Sequence, residues 1–133
     1  MKYVPLIARI ALALVFLTSG IKHLVGFSGF ADMIGQTLPL APLLALGTVV
    51  FQLLGALSLI IGYKANIGAT LLILFLIPAT LVFHNPIVDA SELTAFLKNL
   101  GLIGGLLLVV YAGAGAVSVD GKQRRSESYS EVS

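Results

Sequence analysis

The sequence has no cysteine and very few charged residues. The absence of cysteine excludes disulfide bonds, thiol redox chemistry, iron–sulfur ligation and cysteine zinc sites. Only 11% of the 133 residues are charged and 58% are hydrophobic, whereas about a quarter of the residues in a soluble domain are charged. So few charges could not solvate a globule of this size. The sequence therefore predicts a single domain whose natural solvent is lipid.

Motifs for catalysis and metal binding are also missing. There is no phosphate loop, no nucleophile motif, no pair of haem ligands across the membrane interior and no HxxE or HxxxH spacing. Two histidines with Asp89 or Glu92 would be the remaining metal ligands, but no spacing supports such a site and we predict none. The net charge of +2 does not suggest nucleic acid, because the basic residues are scattered and most flank apolar segments, where they suit anionic lipid headgroups.

Four apolar stretches are long enough to cross a membrane, which takes roughly 20 helical residues. They cover residues 4–22, 42–62, 65–84 and 95–117. Because unpaired backbone groups are costly in lipid, each stretch should be a helix. The sequence thus predicts an all-α fold, an integral membrane four-helix antiparallel bundle within residues 1–120. We expect the polar residues 121–133 to form a disordered cytoplasmic tail. The first stretch lacks a convincing cleavage site, so we expect it to be retained as a helix.

The distribution of lysine and arginine sets the expected orientation. With four crossings, the N-terminus, the second loop and the C-terminus share one side, which carries Lys2, Lys64, Lys122, Arg124 and Arg125. The other side carries Lys22 and Lys98 together with Asp32, Asp89 and Glu92. The positive-inside rule therefore predicts a multi-pass protein of the cell membrane with both termini in the cytoplasm.

The first loop has helical periodicity. Phe27, Phe30, Ala31 and Ile34 lie three or four residues apart, the spacing of one helical face. This pattern fits a short helix in the outer interface or a capped turn packed over the bundle.

The candidate site consists of the polar residues that the spans must tolerate, because ionisable residues in a membrane usually face protein or water. Arg9 and Gln52 lie inside spans. Six others gather near the outer helix ends: Lys22, His23, His84, Asn85, Lys98 and Asn99.

Two interpretations stand for each group. Arg9 shares a narrow helical arc with Gly20 and His23, and small residues usually face a neighbouring helix, so Arg9 should point inward, toward Gln52. Snorkelling to the headgroups is the alternative.

In the outer cluster, histidine suits proton transfer or a bond to a carbonyl group, and lysine suits binding of an anion. The alternative for the outer cluster is capping of helix ends at the interface.

Several of these residues occur in motifs that resemble the DoxX family of small four-helix membrane proteins. Helix one reads RIALALVFLTSGIKHL, and the resemblance places Arg9, Ser19, Gly20 and Lys22 on its motif. Helix two, FQLLGALSLIIG, is followed by Lys64, helix three closes in FH, and helix four opens with LKNLGLIGGLLL. The segment GAVSVD, ending at Asp120, is similar to the usual ending in the family. The resemblance covers nearly all of residues 5–120.

The resemblance implies an accessory membrane subunit of a redox complex. The family takes its name from a subunit associated with thiosulfate:quinone oxidoreductase. By that likeness we expect a quinone near the outer face, no covalently bound cofactor and a membrane partner that carries the redox centre. The family commonly has Glu where this chain has Gln52, and an amide only donates and accepts hydrogen bonds. The resemblance therefore implies polar binding here more than proton-coupled catalysis, and it leaves open whether the chain is an enzyme.

Two other functions are compatible with the sequence. One is a scaffold or assembly factor that holds another membrane protein, or a second copy of itself, through glycine-lined faces. The other is a small-solute transporter or channel, which ranks last because a single interior amide and no inverted broken helices make a poor pathway.

Overall fold

The computed structural model describes residues 1–132 and contains no strand in that range. Its six helices are α1 (Val4–Val25), α2 (Phe27–Gly35), α3 (Ala41–Ile61), α4 (Ala65–Phe83), α5 (Leu93–Ala112) and α6 (Val119–Val132). A 3-10 turn, Ala90–Glu92, precedes α5. Helices α1, α3, α4 and α5 are long and apolar enough to cross a membrane. The predicted all-α bundle with four spans is therefore confirmed.

The end of the last span differs from the prediction. The apolar run continues to residue 117, but α5 ends at Ala112. The next residue, Gly113, has a φ of 78°, a backbone conformation that glycine adopts readily and that ends the helix. The residues that follow are therefore free to turn back toward the bundle.

Neighbouring helices in the bundle are α1 with α3, α3 with α4, and α4 with α5, whereas α1 and α5 make few contacts. The core consists of small and branched side chains from all four spans, among them Ala13, Phe16, Ala56, Leu59, Leu72 and Leu106. Many leucine and isoleucine side chains point outward and are exposed, as a surface in contact with lipid requires. The two ends differ: the terminal end holds both termini and the α3–α4 turn, and the loop end holds α2 and residues 84–92.

Helix α2 covers the loop end. Ala31 and Ile34 are buried, and Phe27 and Phe30 pack beside them against α3, as the spacing predicts. Of the two structures that fitted the first loop, the chain adopts the helix, and this helix packs on the bundle. The contact with α3 buries the apolar face of a segment too short to be stable alone.

The C-terminal segment forms the helix α6, Val119–Val132, where the sequence predicts a disordered tail; Ser133 lies outside the described residues. Long polar side chains lose little freedom in a helix, which offsets the lack of a buried face. The hydroxyl oxygen of Ser118 accepts a hydrogen bond from the Gly121 N–H at 2.9 Å and so caps the first turn of α6. The polar side chains from Lys122 to Ser130 are exposed.

Candidate functional site

The loop end of the bundle encloses a cavity of about 410 Å³, within the range of about 300–1,000 Å³ typical of small-molecule sites. Every helix from α1 to α5 contributes to its wall. The polar lining residues are Ser19, His23, Thr48, Gln52, His84, Glu92, Lys98 and Asn99. The remaining wall is apolar and rich in phenylalanine: Phe16, Phe30, Phe75 and Phe83. The cavity thus combines aromatic surface with a few convergent polar groups.

His23 enters the cavity because Gly20 brings α1 close to α3. A Cβ atom at Gly20 would lie 2.8 Å from Cδ2 of Leu53, so only glycine fits this contact without a shift. Three residues later, the Nδ1–H of His23 donates to Oε1 of Gln52 at 2.9 Å, and its ring stacks on Phe30 with 3.9 Å between centroids. An amide oxygen only accepts, so Nδ1 carries the proton and Nε2 of the neutral ring remains an acceptor. The predicted inward direction of this arc is confirmed.

His84 is held in a similar way from the other side of the cavity. It follows the last residue of α4, and its Nδ1–H donates to Oε2 of Glu92 at 2.8 Å. Glu92 was not among the predicted site residues. It follows His84 by eight residues across an irregular loop, so no helical or strand spacing relates the two in the sequence.

The 3-10 turn that carries Glu92 is fixed by Asp89. Its Oδ1 accepts from the Ser91 hydroxyl at 2.7 Å and from the Ser91 N–H at 3.0 Å. These bonds, the hydroxyl bond foremost, lower the pKa of Asp89 from its ordinary value, because they favour the ionised carboxylate. An ionised Asp89 keeps the turn, and with it Glu92, beside His84.

Lys98 and Asn99 are adjacent in sequence but have different environments. Asn99 is buried, and its Nδ2 donates to Oγ1 of Thr80 at 3.1 Å, which ties α5 to α4. Thr80 in turn donates to the Leu76 carbonyl at 2.6 Å. Lys98 is exposed overall yet lines the cavity, so it places an ammonium group at the rim.

Two of the predicted outer residues lie outside the cavity wall. Lys22 is exposed, and Oδ1 of Asn85 accepts from the Ile87 N–H at 2.9 Å, a local turn bond of the kind asparagine commonly makes. Interfacial and turn roles account for both. The structure therefore brings four of the six outer residues together: His23, His84, Lys98 and Asn99.

Arg9 does not pair with Gln52, so that prediction is wrong, and it does not snorkel either, since only 1% of its surface is exposed. Its guanidinium donates to the carbonyls of Leu59 at 2.7 Å and Val117 at 2.5 Å. Helix ends leave their last carbonyls without partners, and α3 ends two residues after Leu59. The guanidinium satisfies these groups at the terminal end, about two helical turns along α3 from Gln52.

Asp120, which the resemblance singled out, belongs to the same end. Its Oδ1 accepts from the Lys64 N–H at 2.7 Å and its Oδ2 accepts from the Ala65 N–H at 3.0 Å. It therefore caps the N-terminus of α4 from a distant part of the chain. The Asp120 N–H also donates to the Gly62 carbonyl at 2.9 Å. Arg9 and Asp120 thus have a structural role, because they bond to backbone groups of other segments at the terminal end. The cavity at the loop end is the remaining candidate site.

Metal binding has no support in the described part of the chain, where no three His, Asp or Glu side chains come close enough to hold an ion.

The fold and its cavity define a four-helix integral membrane protein whose terminal end is held by Arg9 and Asp120 and whose loop end contains a polar cavity. The chain belongs to the DoxX family, because the DoxX family model matches residues 4–85. The resemblance seen in the sequence is thereby confirmed.

Similar curated proteins come from a bacterium and a yeast. Inner membrane protein YqjF of Escherichia coli (strain K12) is 30% identical over 121 residues, which cover 86% of this chain and 88% of that protein. Inner membrane protein YphA of the same organism is 31% identical over 121 residues, 86% of each chain. ER-derived vesicles protein ERV29 of Saccharomyces cerevisiae is 38% identical over 82 residues, 58% of this chain and 26% of that protein. No solved structure matches the chain significantly.

Proposed function

We propose that the protein is an accessory membrane subunit of a quinone-linked redox complex in the cell membrane. It binds a quinone headgroup in the cavity at the loop end and has no redox centre of its own. A partner protein that carries the cofactor supplies the electrons. The observation that carries this proposal is the aromatic-walled cavity at which His23, His84 and Lys98 converge.

The donor and acceptor set fits a quinone. A quinone ring has two apolar faces and carbonyl oxygens that accept hydrogen bonds, and the phenylalanine side chains suit the faces. Lys98 has an ammonium group that donates only, and a protonated His84 would donate from Nε2. Nε2 of neutral His23 would accept the O–H of the reduced quinol. Gln52 orients His23 but takes up no proton, which favours a binding role for this chain.

The location rests on the composition and on the relatives. Four apolar spans require a bilayer, and two relatives that match most of the chain are named inner membrane proteins. A chain without its own redox centre depends on a membrane partner, which also suits its exposed apolar surface.

Quinone binding is tested by purifying the protein in mild detergent and quantifying co-extracted quinones by mass spectrometry. We expect Lys98→Ala to lower bound quinone by about tenfold, since a hydrogen bond to a charged group is worth about 1.5–3 kcal/mol, and His23→Ala to lower it by up to about tenfold, since a bond to a neutral group is worth about 0.5–1.5 kcal/mol. Lys22→Ala is the matched control, because Lys22 precedes His23 but does not line the cavity. Wild-type quinone reduction in membranes that lack this chain, with each relevant electron donor, would refute the accessory role.

A scaffold function is the second candidate, and α5 supplies its observation. Cβ atoms at Gly101 and Gly104 would meet no atom within 4 Å, whereas one at Gly105 would lie 3.0 Å from Leu12. Gly101 and Gly105 form a GxxxG motif, and its first glycine therefore faces away from the bundle. If Gly101→Leu abolished co-purification of a membrane partner while His84→Ala and Lys98→Ala left it intact, the scaffold function would replace the first proposal.

A further inference from the structure

We infer that the cavity is loaded sideways from the bilayer, between α3 and α4, by a quinone whose long apolar tail stays in a groove on the outer face of these helices. This inference rests on the proposed function, because it assumes that the headgroup occupies the cavity. It adds the class of ligand, a long-tailed amphiphile, and its route.

A groove of about 330 Å³ runs along the lipid-facing side of α3 and α4 near the loop end. Its outer wall comprises Leu43, Leu44, Gly47 and Phe51 from α3 with Pro78 and Val82 from α4. Leu43, Leu44 and Val82 are exposed, so the groove opens toward the bilayer. Among the described residues that line it, Thr48 alone is polar, and the groove suits a hydrocarbon chain.

The groove and the cavity share a wall one side chain thick. Ile34, Thr48, Phe75, Ala79 and Phe83 line both spaces. Thr48 and Ala79 are small, so the two phenylalanine rings and Ile34 provide most of the barrier. Rotation of such rings requires no change in the helix backbone. We therefore expect the headgroup to pass from groove to cavity by movement of these side chains.

Two features favour this side of the bundle. The loop end is covered by α2, whose Phe30 stacks on His23. On the groove side, α4 contains Pro78, which lacks an N–H and leaves a carbonyl one turn earlier without its helical partner. The backbone beside the shared wall is thus less constrained than the rest of the helix. The charged lining residues belong to the cavity alone, which matches a ligand with a polar head and an apolar tail.

Photolabelling of the wild-type protein tests the inference directly. The probe is a quinone with a diazirine on its alkyl tail, added to purified protein in phosphatidylcholine nanodiscs. We expect labelled peptides from α3 near Gly47 and from α4 near Val82, and an excess of a tail-less quinone should lower that label about tenfold. The lateral route would be overturned by any of three results: label spread evenly over all lipid-facing helices, label on α1 and α5, or label that the competitor does not reduce.

A glycine substitution provides the matched comparison. A Cβ at Gly47 or at Gly104 would meet no atom within 4 Å, so neither Gly47→Leu nor Gly104→Leu should disturb folding. Gly47→Leu fills the groove and should lower tail labelling about tenfold while binding of the tail-less quinone stays unchanged. Gly104→Leu should change neither. If the tail-less quinone fails to bind wild-type protein, the proposed function fails; if it binds but the tail is not found in the groove, only the lateral route fails.

Discussion

At the level of single residues, the Arg9 guanidinium joins three segments that are far apart in the chain. It extends from α1 to the Leu59 carbonyl near the end of α3 and to the Val117 carbonyl beyond α5. A planar fork of donors can reach two carbonyls at once, which a lysine ammonium on a flexible stem does less well. Its Nε has no partner among the described residues, so the stabilisation comes from the two terminal nitrogens.

Arg9→Lys should therefore destabilise the bundle by about 3 kcal/mol, because hydrogen bonds to a charged group contribute about 1.5–3 kcal/mol each and only part of that is regained. The measurement is thermal unfolding of the purified protein in detergent. Arg125→Lys is the control: Arg125 also donates to a carbonyl, that of Ala116 at 2.8 Å, but is exposed, and its loss should cost less than about 1 kcal/mol. Equal effects of the two substitutions would contradict the structural role of Arg9.

Gln52 acts on the proposed quinone through His23, and this role can be separated from general packing. Gln52→Leu removes the acceptor that holds Nδ1–H of His23, so we expect quinone occupancy to fall about tenfold, as for other losses of an orienting partner. Gln52→Glu keeps an acceptor at the same position and should retain binding. Mass spectrometry of co-purified quinone is the measurement. Similar losses in both variants would mean that packing, and not orientation of the ring, governs the site.

At the scale of elements, α4 depends on a residue that lies beyond the last span. Lys64, at the N-cap position of α4, is left-handed with a φ of 47° and makes no side-chain cap bond. Asp120 supplies both cap bonds from outside the helix. Docking of the first turn of α6 and formation of the first turn of α4 are consequently coupled.

Asp120→Ala should reduce stability by about 0.5–2 kcal/mol, the usual range for loss of a helix cap. A local measurement is more specific than global stability. Amide hydrogen exchange at Lys64 and Ala65 should accelerate, while exchange near the loop end of α4 stays unchanged. Glu127→Ala serves as the control, since Glu127 is exposed on the same segment but caps no helix. Unchanged exchange at Lys64 in Asp120→Ala would show that the cap is dispensable.

The elements of the bundle were more predictable than the contacts between them. Hydropathy alone defines the four spans, and the spacing of Ala31 and Ile34 identifies the buried face of α2. The shared arc of Gly20 and His23 indicates which face of α1 turns inward. In contrast, the acceptors of Arg9 lie 50 and 108 residues away. Every residue has a backbone carbonyl, so residue identity does not indicate which carbonyl accepts. The helical tail was missed because composition reports the lack of a buried face but not a cap such as Ser118.

At the scale of the whole molecule, the two ends of the bundle have different properties. At the terminal end, Arg9 and Asp120 bond to backbone groups of other segments. The loop end has a cavity that is lined by side chains and partly covered by the short helix α2. This division of structural and cavity-lining residues between the two ends is compatible with the proposed role as a ligand-binding membrane subunit.

The orientation of these ends is the remaining prediction at this scale. Because the chain contains no cysteine, single substitutions provide clean topology reporters. Ile87, 93% exposed at the loop end, and Ser126, exposed on α6, mark the opposite ends. The excess of lysine and arginine at the terminal end predicts that Ile87→Cys reacts with a membrane-impermeant maleimide in intact cells, whereas Ser126→Cys reacts only after permeabilisation.

Leu74→Cys is the control within a span. Its side chain is exposed in the bundle but should face lipid, so it should react only after detergent is added. Labelling of Ser126→Cys in intact cells with protection of Ile87→Cys would reverse the orientation and place the cavity at the cytoplasmic face, where a quinone would meet cytoplasmic electron donors.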